Sequence, residues 1–351
     1  MKVKFEKLSI KGIATAIPRN ILDLKSSLSS LYGTAEVNRI IASTGIEQIR
    51  VAGENQCASD FCATAAERLF SILEIDPLTI DGLVFVSQTP DYKIPATSTI
   101  LQHKLGLPTT AVAFDINYGC SGYVYGLYQA SMLVSSGGCK RVLVCVGDVT
   151  TKLVYPEDRS VRMVFGDGGS ATLVERGENT SYFNLKTDGS GAKHLIIPAG
   201  GSRNPISDKT SIPYETNDGN IRTEETVHMN GMEIMSFALR EIPIMVDELL
   251  EYVNWNKNDV GIFALHQANK FMLEYLRRKM KLDKSTVPIA VETVGNTGPA
   301  SIPLMLSLKS QELREGKQLD KIVCCGFGVG LSWAACTLDL SSTVILGPIE
   351  C

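Results

Sequence analysis

Three short segments of this chain hold the residue types needed to make and use an acyl thioester: a cysteine, a histidine and an asparagine, in that order. Cys120 lies in Phe114-Asp-Ile-Asn-Tyr-Gly-Cys120-Ser-Gly-Tyr, where an extended apolar run turns on small residues into an apolar pattern of helical period. His266 lies in Leu265-His266-Gln-Ala-Asn269, just after a strand-like run, and Asn296 lies in Gly295-Asn296-Thr-Gly-Pro-Ala-Ser-Ile-Pro303. Each also has an ordinary reading. Small buried cysteines, core histidines and turn asparagines are common. The bland reading suits the other eight cysteines and His103, His194 and His228.

The helix after Cys120 carries Tyr123, Val124, Leu127, Met132 and Leu133, apolar nearly all round, so it is expected to be buried. A helix N-terminus offers unpaired N–H groups and a partial positive charge. A thiol there is expected to have a lowered pKa and to react as thiolate. Gly119 and Gly122 keep the approach to the sulfur free of side chains.

The elements that must position these residues alternate between helix and strand. Ser59 can cap a helix carrying Phe61, Ala65, Leu69 and Ile72 on one face. Leu83–Val86, Val112–Ile116 and Val142–Val146 read as strands, the first and last apolar on both faces and so covered on both sides. Pro95 suits the first turn of a helix ending at Gly106. Later come a helix over roughly Met235–Val253, a strand Val260–Leu265, a helix from Gln267 to Met280 and a strand Ile289–Thr293. Pro299 opens the next helix, and strands Ile322–Cys325 and Ser332–Leu338 follow. Residues 176–230 are rich in loop signals and hold the join between two halves, 1–176 and 177–351. Arg141–Gly147 resembles Lys321–Gly326, and Gly168–Val174 resembles Gly330–Cys336, as duplication would produce.

A chain of 351 residues can bury a large core as two fused halves. Its net charge of −4 provides no global basic field for nucleic acid. Nine cysteines without C-x-x-C or other metal spacing imply mostly buried thiols in a reducing, cytoplasmic setting. The charged N-terminus has no signal-peptide pattern. The uncharged run Ile322–Leu338, interrupted by Gly326, Gly328 and Gly330, reads better as two strands and a glycine loop than as a membrane span.

Taken together the segments resemble the β-ketoacyl-ACP synthase III family of the thiolase superfamily. The resemblance spans nearly the whole chain, from Thr44-Gly45-Ile46 through Asp115-Ile-Asn-x-x-Cys-Ser-Gly122, Phe165-Gly-Asp-Gly168, His266-Gln-Ala-Asn269 and Asn296-Thr-x-x-Ala-Ser-Ile-Pro303 to Gly326-Phe-Gly-x-Gly330. It implies an α/β fold: a five-layer αβαβα sandwich of two duplicated halves, the first carrying the cysteine and the second the histidine and asparagine. It implies a homodimeric acyltransferase of fatty-acid or related lipid metabolism, with no metal or redox cofactor. In it Cys120 accepts an acyl group from acyl-CoA or acyl-ACP, and decarboxylative Claisen condensation with malonyl-ACP follows. Backbone N–H groups of Cys120 and Val329 hold the oxyanion, while His266 and Asn296 donate to the thioester oxygen of the malonyl unit. Ile94, Arg159, Asn269 and Phe327 fall at substrate-binding positions, and Lys270, Arg278 and Lys279 at the docking site for acyl carrier protein. Related enzymes with the same three residues transfer acyl groups to alcohols or amines, or join two acyl chains head to head. A non-catalytic partner subunit usually loses one of the three.

The match departs at the donor end. Where bacterial relatives place a tryptophan and an arginine beside the CoA adenine, this chain has Arg39 and Ser43, and Phe271 replaces a second arginine. These changes suggest a carrier-bound donor, an altered CoA pose or a specialised pathway. Ile94, at the position of an aromatic pocket floor supplied by the dimer partner, is smaller and would admit a longer or branched chain.

Overall fold

The computed structural model describes residues 1–316 and 318–351. Its frame is an 11-stranded sheet. The strands are β1 (Lys2–Ile17), β2 (Gly82–Val86), β3 (Val112–Ile116), β4 (Arg141–Asp148), β5 (Gly168–Arg176), β6 (Asn179–Thr187), β7 (Ile262–Leu265), β8 (Ile322–Gly328), β9 (Ser332–Leu338), β10 (Val344–Ile345) and β11 (Ile349–Glu350). The path runs β7-β8-β9-β6-β1-β5-β4-β2-β3, with β10 and β11 parallel to β1 on its other edge.

β1 serves both ends of this path. Lys2–Leu8 pairs with β6 and Leu8–Ala16 with β5, the register shifting between Phe5 and Leu8 and again between Ile10 and Gly12. On one side β2 and β4 are parallel and β4 meets β5 antiparallel. On the other, β7 and β8 are parallel and β8 meets β9 antiparallel. The two stretches of similar sequence are therefore equivalent strand pairs, β4–β5 and β8–β9, and duplication is visible in the pairing.

Helices complete five layers. α1 (Leu24–Tyr32) and α2 (Thr34–Thr44) precede α3 (Ala58–Leu73) and α4 (Thr97–Lys104), which cover the outer face of β1 to β5. α5 (Gly122–Ser135) packs against strands of both ends of the sheet and forms the middle layer. α6 (Gly231–Val253) and α7 (Lys270–Met280) cover β6, β8 and β9, and α8 (Ser301–Leu308) joins α5 in the middle. α5 is apolar all round because sheets lie on both sides of it. Gly122 is required there: a Cβ would lie 2.7 Å from Val86 Cγ1 and 3.1 Å from Pro299 Cβ.

Some expected elements differ. Val291–Thr293 is a single 3₁₀ turn, not a strand; the Ala290 N–H is taken by the Gln267 side chain at 2.9 Å, so the segment lacks a ladder partner there. α7 starts at Lys270, because Gln267 bonds backbone groups and Asn269 Oδ1 caps the Met272 N–H at 2.8 Å. Residues 176–230 contain β6 and two short strand pairs, Leu195–Ile196 with His228–Met229 and Tyr214–Glu215 with Ile221–Arg222. Among the described residues no helix is long and apolar enough to cross a membrane.

Candidate active site

β3, β4, β7 and β8 all approach one region with their C-terminal ends, where α/β sheets present ligand-binding groups. Cys120 follows β3, Asp148 ends β4, His266 follows β7, and Phe327-Gly328 ends β8. Cys120 is 8% exposed and lines a cavity of about 420 Å³ with Asp148, Phe165, Leu195, Val227 and Val329.

Glycines bring β8 onto the cysteine. A Cβ on Gly326 would sit 2.8 Å from the Cys120 carbonyl oxygen, and one on Gly328 would sit 2.8 Å from Sγ. The backbone N–H groups of Val329 and of Cys120 itself interact with the thiol and lower its pKa. The Val329 peptide is anchored from behind: Ser332 Oγ donates to the Val329 carbonyl at 2.8 Å and contacts Ser121 Oγ at 2.7 Å.

The thiol is not a resting thiolate. Burial, reinforced by the nearby Asp148 charge, pushes Cys120 up to about 12 despite those N–H groups. α5 begins at Gly122, with Ser121 as its cap, so Cys120 precedes the first turn. A helix terminus supplies about 0.3–2 kcal/mol to a charge. The displacement here opposes the thiolate by about 4 kcal/mol, so burial wins over the expected lowering.

His266 is 1% exposed, and burial lowers its pKa to about 3, so the ring is neutral at pH 7. Its Nδ1 meets Ser301 Oγ at 2.7 Å, and the same oxygen receives the Gln267 N–H at 3.4 Å. Assigned on this network, the Ser301 hydroxyl donates to Nδ1 and the ring proton sits on Nε2. His266 then offers a neutral N–H donor, with the Phe327 ring perpendicular to it at 5.5 Å. Asn296 is oriented in the same way: its Oδ1 accepts the Gly298 N–H at 3.0 Å, and its Nδ2 has no partner among the described residues. Its backbone pairs with Val164 and Gly166, next to Phe165 in the cavity wall. Ser301 stands inside a segment singled out in the sequence, yet its role follows only from contact with His266. Asp148 was missed; its place at the end of an apolar strand was the available signal.

The remaining candidates spread outward. Arg159 and Arg39 both reach Glu36, at 3.6 and 2.7 Å, in a polar cleft of about 910 Å³ lined also by Ser43, Lys193 and Arg222. Arg159 also donates to the Asp218 carbonyl at 2.6 Å, so the Tyr214–Arg222 hairpin leans across it. Asn269 spends its Oδ1 on the α7 cap. Lys270 pairs with Glu292 at 2.8 Å, and its stem covers Gly45. Phe271, Tyr275, Arg278 and Lys279 form an exposed face of α7. Ile94 is 85% exposed, far out on its loop.

The sequence models described as 3-oxoacyl-[acyl-carrier-protein] synthase III and its C-terminal domain match residues 114–189 and 250–340. A putative 3-oxoacyl-[acyl-carrier-protein] synthase 3 of Campylobacter jejuni is 33% identical over 97% of this chain and 96% of its own length. A β-ketoacyl-[acyl-carrier-protein] synthase III of Caldanaerobacter subterraneus is 34% identical over 95% of this chain and 97% of its own. The crystal structure of a 3-oxoacyl-(acyl-carrier protein) synthase from Burkholderia xenovorans superimposes with a TM-score of 0.92 at 34% identity, covering 100% of this chain and 99% of that one. Fold and site thus define a thiolase-like condensing enzyme that transfers acyl groups. The chain belongs to the 3-oxoacyl-ACP synthase III family.

Proposed function

We propose that Cys120 carries the acyl intermediate of a condensation between an acyl thioester and malonyl-ACP. The observation that carries this reading is the thiol itself: buried, lining a cavity, with two backbone N–H groups interacting with it. Those donors suit the oxyanion that forms when sulfur attacks a thioester carbonyl. Its collapse breaks the donor's C–S bond and releases the donor thiol, with the proton given up by Cys120 balancing the exchange. The acyl chain then lies in the 420 Å³ cavity. His266 Nε2–H and Asn296 Nδ2, both neutral donors, hold the malonyl thioester oxygen. They stabilise the enolate as CO2 leaves, and the enolate carbon attacks the acyl group on Cys120. A neutral imidazole suits this role, because it adds a donor without a full charge in a dry site.

The donor docks on Arg278 and Lys279, with Lys270 nearby, and its pantetheine arm passes Arg159, Asn269 and Phe327. Arg159 must exchange Glu36 for a phosphate to assist a CoA donor, which favours a carrier-bound one. The enzyme works in the cytoplasm as a homodimer, the half-exposed edge strand β3 meeting its counterpart and Ile94 of a second copy closing the acyl cavity.

Intact-protein mass spectrometry after exposure to acyl-CoA and acyl-carrier donors tests the reading. The expected result is one acyl adduct, mapped to Cys120 and discharged by malonyl-ACP as a 3-oxoacyl product. An adduct that persists in Cys120→Ala overturns it.

A further inference from the structure

Asp148 has no part in the chemistry above, yet it is the buried acid of the acyl cavity. It is 3% exposed and lines the same space as Cys120. Its two oxygens are treated differently. Oδ1 accepts from Gln88 N–H at 2.7 Å, Ser87 Oγ at 2.9 Å and Thr89 Oγ1 at 3.2 Å. Oδ2 accepts nothing from the described residues and lies where a Cβ on Gly298 would meet it at 2.9 Å. If Asp148 only tied down the turn after β2, one oxygen would suffice and an amide would serve as well. Oδ2 is left open to the cavity, where a bound group can reach it. Even with the donors on Oδ1 and the Thr89 N–H favouring the charged form, burial pushes the Asp148 pKa up to about 7.

The cavity is divided in character. Leu153, Phe165, Ile197 and Val227 give it an apolar wall, while Gln88, Thr89, Asn117, Asp148 and Thr150 bring polar atoms to the lining. A plain alkyl chain satisfies the first wall and leaves Oδ2 without a partner. A chain bearing a hydroxyl or ammonium group satisfies both. Asp148 and Cys120 line the same cavity, so an acyl chain on the sulfur can bring such a group to Oδ2.

We propose that the Oδ2 atom of Asp148 is a specificity determinant that selects acyl groups carrying a hydrogen-bond donor. The proposal rests on the reading of Cys120 as the acylated residue and names the acyl class that it takes. A site with a buried acceptor strongly rejects an isostere that lacks the matching donor, because the acceptor is then left unpaired.

The experiment measures kcat/KM for Cys120 acylation by the pantetheine thioesters of butyrate, 3-hydroxybutyrate and 4-aminobutyrate. The wild-type protein is compared with Asp148→Asn, which keeps an oxygen for Ser87, Gln88 and Thr89 and can turn its amide donor into the cavity. We expect wild type to favour at least one substituted chain over butyrate by about 10-fold or more. In Asp148→Asn the ratio of substituted-chain to butyryl rates should collapse toward one. The ratio is the readout, because removing the Asp148 charge also acts on the Cys120 thiol and so on every absolute rate. The hydroxyl and ammonium arms identify which donor is used. If butyryl loads Cys120 at least as well as both substituted chains, or if the ratios are the same in the two proteins, the proposal is wrong and the acylation reading stands. If no thioester loads Cys120, the acylation reading itself fails and the proposal falls with it. Should Asp148→Asn not fold, the wild-type preference alone decides.

Discussion

Gly328 lies against Cys120 so closely that a Cβ there would be 2.7 Å from Cys120 Cβ and 2.8 Å from its sulfur. The end of β8 and Cys120 are one packed unit, and a single methyl group would separate them. Gly328→Ala is therefore expected to fold but to lose acylation by about 100-fold or more, the cost of displacing a reacting group by about 1 Å. Acyl-adduct formation by mass spectrometry, with circular dichroism as the fold control, measures this. Near-normal acylation would mean that β8 yields more easily than its packing implies.

Cys120 should behave as a suppressed thiol. With burial holding it up to about 12, its alkylation by iodoacetamide should climb about tenfold per pH unit from pH 7 to 10, without levelling. A plateau below pH 9 would show that the N–H groups and helix end outweigh burial after all. The rate is read from loss of the unmodified Cys120 peptide.

Replacing either proposed enolate donor should split the two half-reactions. His266→Ala or Asn296→Ala is expected to slow malonyl decarboxylation by about 100-fold, roughly 3 kcal/mol for one oxyanion-type donor. Cys120 acylation should change less than 10-fold. Equal losses in both steps would remove the assigned division of labour.

His266 also links stability to pH. Its folded pKa of about 3 lies below the 6.5 of an exposed histidine, so the unfolded chain takes up a proton that the native ring refuses. The contribution is complete above pH 6.5 and is lost as pH falls toward 3. Between pH 6.5 and 5 the loss amounts to about 1.5 kcal/mol. Chemical denaturation of wild type and His266→Gln across that interval should show a shallower decline in the variant. Parallel curves would contradict a buried neutral ring.

The donor question reduces to charge on the rim of the site. Arg278 and Lys279 are exposed on α7, whereas Arg159 and Arg39 are engaged with Glu36. Acylation should be more efficient from acyl-ACP than from the matching acyl-CoA. Reversing both Arg278 and Lys279 to Glu should cut the carrier rate, most at low salt, and leave the CoA rate nearly unchanged. A preference for CoA that ignores the reversal would mean that Arg159 leaves Glu36 readily for a nucleotide phosphate.

Much of this was legible in residue order. The runs flanking Cys120, the glycines of β8 and the strand before His266 are local signals, and each element formed where its pattern lay. What stayed hidden depends on distance along the chain. β1 carries charged residues through its first half and shows no clean alternation, because its pairing changes partners along its length. Ile289–Thr293 has strand-forming residues, but the Gln267 side chain accepts the Ala290 N–H and donates to the Pro288 carbonyl beside it. The thiol was expected to be acidic because the helix after it is visible in sequence, whereas the sheet and Asp148 that desolvate and oppose it come from elsewhere. Ser301 and Asp148 acquire meaning only through what they touch.

The placement of β1 bears on how the molecule assembles. Its first edge needs β5 and β6 from mid-chain, and its second needs β10 and β11, which lie far along the chain from it. Pairings between distant parts of a chain close the longest loops and form slowly. During synthesis the first half therefore waits with one strand edge bare, an invitation to associate with other chains. The order of translation, rather than any weakness of the finished core, would set how much of this protein reaches its native state when it is produced quickly.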